Sequence, residues 1–179
     1  MAITPRNTLQ YKDIPDRTRV QRKTLITVAE WTYNGSSTRE VLGARTEDSS
    51  IEFNADIETS TDILGITYTD VNKTEPQQDF DPYMLLKDSD LGDYLTQAAL
   101  DNDIDKYSNC FTLYVIAAFL GSEGAYKCVK HEGCSVIPQS LGGDTHVSMP
   151  IEVHYSNQIT SGTVDKLADD FVFTPDSTL

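Results

Sequence analysis

The run CFTLYVIAAFL, residues 110–120, is apolar at nearly every position, and its reading decides the fold class. Periodicity alone does not separate a buried strand from a buried helical segment in such a run, so length and flanking residues decide. The run is short for a helix and stops at Gly121-Ser122-Glu123-Gly124, a turn signal, which predicts a central β-strand. The surrounding sequence agrees. LITVAEWTY, residues 25–33, leads into Asn34-Gly35, the pair favoured where both central residues of a type I′ turn need positive φ, so the chain is expected to double back there. IEFNADIETS, residues 51–60, alternates Ile51, Phe53, Ala55 and Ile57 with Glu52, Asn54, Asp56 and Glu58. A period of two predicts one strand whose apolar face packs on a core and whose other face carries a row of carboxylates. ILGITYTDV, residues 63–71, reads as its return strand, with the turn at Thr59-Ser60-Thr61-Asp62. Further strands are predicted at 125–130, 134–140, 147–155 and 161–167, punctuated by Gly133, Gly142-Gly143-Asp144 and Gly162, with Pro138 and Pro150 marking edges or bulges.

The helical signal is confined to the middle of the chain. Leu91, Tyr94, Leu95, Ala98 and Ala99 recur at three- and four-residue spacing and predict one amphipathic helix over 89–101, with Asp81 before Pro82 as a start signal. The expected fold is mainly β, an antiparallel sandwich or barrel with one flanking α-helix.

A chain of 179 residues suits a single domain with a real core, and no Pro/Gly/Ser-rich linker divides it. The opening MAITPRNTLQ has no apolar run of the secretion-signal kind, and no segment reaches the roughly 18 apolar residues of a membrane span, which predicts a protein kept inside the cell. Three cysteines, an odd number, predict reduced thiols. The net charge of -14 argues against an ordinary nucleic-acid binder, which needs a basic face for phosphates. That charge is uneven: residues 1–23 carry six basic side chains against Asp13 and Asp16, and everything after them is strongly acidic. Residues 1–24 therefore read as a basic arm ahead of one domain at 25–179. Arg17, Arg19, Arg22 and Lys23 are its candidates for contacting the acidic surface of another copy.

Catalytic and metal signatures are thin. Cys128, His131 and Cys134 form C-x2-H-x2-C, but a structural zinc site needs a fourth ligand and no second pair follows. DNDID, residues 101–105, alternates oxygen ligands like a calcium loop, yet Lys106 stands where the loop needs glycine and Thr112 where it needs a bidentate glutamate. No G-x4-G-K-[ST], G-x-S-x-G or H-E-x-x-H occurs, and the three histidines are His131, His146 and His154. Neither an enzyme nor a cofactor is expected. The less favoured alternative is an unrecognised hydrolase or binding domain, which would need a concave pocket with convergent polar groups.

The ordered set ETSTDILG (58–65), EPQQDFDPY (75–83), GAYKCVKHEGCSVIPQSLGGD (124–144) and MPIEVHYSNQITSGTV (149–164) resembles the major tail proteins of long-tailed bacteriophages, the subunits of the tail tube. The resemblance spans about residues 25–173 and rests on strand, glycine and turn patterns. It implies a β sandwich or barrel with a flanking helix, hexameric rings that stack into a hollow tube for genome passage, and a place in the virion tail assembled in the bacterial cytoplasm. The implied partners are other copies, the tape measure protein, the tail terminator and the tail tip proteins; DNA would pass without specific binding, and no membrane is involved. Another virion part, such as a tail terminator, head-tail joining protein or capsid decoration protein, is the alternative. In a ring, Glu52, Asp56 and Glu58 are the expected bore-facing residues. Six copies carry a formal charge of -84, screened over about 8 Å at physiological salt, and an acidic wall repels a passing duplex where a basic one would hold it.

Overall fold

The computed structural model describes residues 19–46 and 48–177, and these are mainly antiparallel β with one α-helix. In chain order the elements are β1 (Leu25–Tyr33), β2 (Ser36–Val41), β3 (Ile51–Glu52), β4 (Ala55–Thr61), β5 (Thr67–Thr74), β6 (Gln77–Phe80), α1 (Asp90–Leu100), β7 (Phe111–Ser122), β8 (Ala125–Pro138), β9 (Ile151–His154), β10 (Ile159–Val164) and β11 (Phe173–Pro175). The run that opened the analysis is β7, a central strand between β1 and β8. Its Leu113, Tyr114 and Ile116 are buried because both faces of the sheet are covered there. Asn34 and Gly35 both take positive φ and return the chain along β2, as their sequence predicts.

Two sheets share one strand. The first runs β2-β1-β7-β8-β10-β11 and the second β8-β9-β6-β3. Residues 126–131 of β8 pair with β10, whereas Ser135–Pro138 pair with β9. Between these stretches Gly133, at φ +73, is an extra residue opposite the Phe111/Thr112 step of β7. Only glycine takes that conformation without cost, and the bulge bends β8 from one sheet into the other. The sequence predicts two strands broken at this glycine; the structure instead has one strand bulged there.

The main core lies between the sheets and under the helix, with Trp31, Phe80, Leu91, Leu95, Phe111, Leu113 and Val153 buried together. Each large apolar side chain hidden there contributes about 1.5–3 kcal/mol. The helix starts at Ser89, whose hydroxyl accepts from Gly92 N, and Glu40 of β2 supplies a second cap by accepting from Leu91 N and from the Ser89 and Tyr83 hydroxyls. Asp81-Pro82, the expected start signal, lies well before the helix. A smaller cluster, including Val28, Ile116 and Cys128, covers the opposite face of the first sheet under Phe171. Arg39 pairs with Glu30 across β1 and β2, donates to Phe171 O and lies 4.6 Å over its ring, fixing the C-terminal segment on that face.

Strand β6 has no predicted counterpart. Its Gln78 is buried with its side-chain oxygen accepting from Thr27 and Tyr155 and its amide donating to Ser49, so a core position carries a polar residue. Ser49 O in turn accepts from the Arg22 guanidinium.

Candidate functional site

The segment IEFNADIETS is not one strand. Ile51–Glu52 form β3 against β6, the chain breaks at Phe53-Asn54, where Asn54 has φ +43, and Ala55–Thr61 form β4. Strand β4 pairs only with β5, as a two-stranded ribbon separate from the sandwich. Every residue of both strands is exposed. The expectation that Phe53, Ala55 and Ile57 pack on a core therefore fails within the subunit: Phe53 is 65% and Ile57 60% exposed.

Register assigns the two faces. Ile57 stands opposite Val71, Thr59 opposite Thr69 and Thr61 opposite Thr67, which makes one face β-branched from Ile57 to the turn. Glu58 stands opposite Asp70 on the other face, with Asp56 two residues along the strand, so three carboxylates gather there. A bulge at Asp56/Ile57 brings Asn72 to the Asp56 carboxylate at 3.5 Å, while Lys73, opposite Asp56, pairs with Glu75 at 2.7 Å. Like charges directly opposite one another weaken an isolated ribbon. Nothing among the described residues covers either face.

The turn falls at Asp62–Ile66, not at Thr59–Asp62. Asp62 Oδ1 accepts from the amides of Leu64 and Ile66 at 2.9 Å, and Oδ2 accepts from Tyr68 OH at 3.2 Å. The Ile66 amide foremost, then that of Leu64 and the Tyr68 hydroxyl, hold this carboxyl below the ordinary carboxylate value. The tip thus ordered presents Ile63 and Leu64, 102% and 78% exposed, with Ile66 beside them.

Of the three expected bore residues, Asp56 and Glu58 share the acidic face. Glu52 does not: it lies on β3 opposite Gln77, beside a shallow cavity it lines with Asp48, Asp79 and Asp81. Asp70 takes the third place. Its partnership was unreadable in sequence because the turn position, and with it the register, was displaced. In the arm, Arg17 lies outside the described residues, Arg19 and Lys23 are exposed, and Arg22 is bonded within its own subunit to Ser49 O and Leu25 O.

The C-x2-H-x2-C side chains do not converge on one point. Cys128 belongs to the outer cluster and Cys134 to the main core, and His131 packs on Tyr155 with Nδ1 3.0 Å from Ser156 O. Burial pushes the Cys128 thiol up to about 12, so it stays protonated. Among the described residues no group of three His, Cys, Asp or Glu side chains is placed to hold a metal ion, and no helix is long and apolar enough to cross a membrane. Comparison with known proteins finds no family model and no curated protein that matches this chain.

Proposed function

We propose that the chain is the subunit of a phage tail tube, a structural protein that forms stacked, hexameric rings around an acidic bore through which the genome passes. The carrying observation is the β4–β5 ribbon, whose two outer edges pair with no other strand among the described residues and whose faces differ in chemistry. An isolated hairpin is marginal in water, and open strand edges are an aggregation hazard unless paired. Side-by-side ribbons from successive copies satisfy both edges, and ring closure leaves none unpaired. The Ile57/Val71/threonine face then turns toward the subunit bodies, and the Asp56/Glu58/Asp70 face lines the bore. Other copies and the tape measure, terminator and tip proteins are the proposed partners, in the virion tail.

Negative-stain imaging of concentrated protein tests the reading, with hollow tubes as the expected result. A monomer at every concentration, or single rings that never stack, overturns it, the latter in favour of a terminator or joining ring. Replacing Asp56, Glu58 and Asp70 by Asn, Gln and Asn should preserve tubes, whereas three lysines should slow genome ejection in a salt-dependent way.

A further inference from the structure

The ribbon and an apolar groove lie at opposite ends of the β6–β9 pair. The ribbon leaves the sheet beside Gln77, which pairs with both Glu52 and His154. Past Phe80, at the other end, a groove of about 550 Å³ opens, its apolar wall made by Met84, Leu85, Leu86, Leu141 and Val147. Thr96, Arg45, Lys87 and His146 complete the lining, and no carboxylate does, in a chain with twice as many acidic as basic residues. The ribbon tip is the converse: Ile63, Leu64 and Ile66 are exposed around the Asp62 carboxylate, with Glu58 and Asp70 further along the strands.

We infer that the tip of one copy seats in this groove of a second copy, the branched side chains against the apolar wall and Asp62 toward Arg45 and Lys87. The inference rests on the reading of the chain as a self-assembling subunit and names the contact that joins the copies. Apolar knob and groove are complementary in shape class and in charge. Tip and groove are different patches, so a contact not returned between the same two copies is heterologous, and such contacts propagate into rings or helical stacks. The N-terminal arm is a poorer occupant, since Arg6, Lys12 and Arg17 would meet the basic rim.

A double-mutant cycle on the full chain tests this, read as the lowest concentration that supports assembly. Leu64→Asp and Leu141→Asp should each raise it at least about tenfold, and the double variant should cost no more than the worse single one, because both remove the same contact. Both sites are exposed, so folding is preserved, as circular dichroism would verify. In a Cys110→Ser background, oxidising a mixture of Leu64→Cys and Leu141→Cys chains should give a disulfide-linked dimer absent from either alone. Leu141→Asp assembling normally while the wild type forms tubes, or oxidised mixed tubes that contain no disulfide between positions 64 and 141, overturns the groove contact and leaves the tube reading standing. Wild-type protein that never assembles overturns both.

Discussion

Strands β7 and β4 both carry branched apolar side chains, and those side chains meet opposite fates. Leu113 and Ile116 of β7 are fully buried, whereas Ile57 of β4 is exposed and its whole strand lies open. The difference lies in what is placed against them: β7 has neighbours on both edges and a cluster on both faces, and among the described residues β4 has one neighbour and no cover. An apolar face therefore predicts that something covers it, without saying which chain does.

The sharpest way to break the comparison is to put the same charge in both places. Leu113→Asp buries an unpaired carboxylate at a cost of several kcal/mol, and the expected result is a chain that does not fold. Ile57→Asp should shift the denaturation midpoint by less than about 0.5 kcal/mol and still abolish tubes, which denaturant titration beside imaging would register. Equal destabilisation by both would mean that the ribbon belongs to the core.

A smaller effect is expected where the body depends on one polar group. Glu40→Ala strands the Leu91 amide and the Ser89 and Tyr83 hydroxyls, and should cost about 1–3 kcal/mol with an unchanged m-value. Glu40→Gln, which keeps an acceptor, should recover part of that loss.

The smallest effect belongs to the ribbon tip. Because Asp62 titrates below its ordinary value of 3.8, its contribution is present above that pH and is lost as pH falls through the lowered value. The Leu64 and Ile66 amide resonances should move together in that window while those of β7 stay fixed. Asp62→Ala should reproduce the shift at neutral pH.

Much of the body was legible. β1, β7 and α1 fall within a residue or two of their predicted spans, because dense β-branched or helical periodicity leaves few alternatives. β6 was hidden by Gln78, whose burial depends on Thr27 and Tyr155 from distant segments. In the ribbon, the alternation was readable but the turn was not. Thr59–Asp62 is rich in turn formers, yet Asp62 bonds forward to Leu64 and Ile66 and carries the reversal into an apolar stretch. The row of three carboxylates failed at Glu52 for a local reason, the break at Asn54, which no periodicity marks.

The pairing of Glu52 with Gln77 has a consequence for variation. It brings together the two points where the ribbon enters and leaves, so everything from Phe53 to Pro76 is an insertion whose ends are already joined by the body. Closing a loop costs only about 0.6 kcal/mol more for each doubling of its length. The reach of the ribbon is thus nearly uncoupled from the stability of the sandwich. Shortening, lengthening or exchanging it should leave the same scaffold folding beneath it.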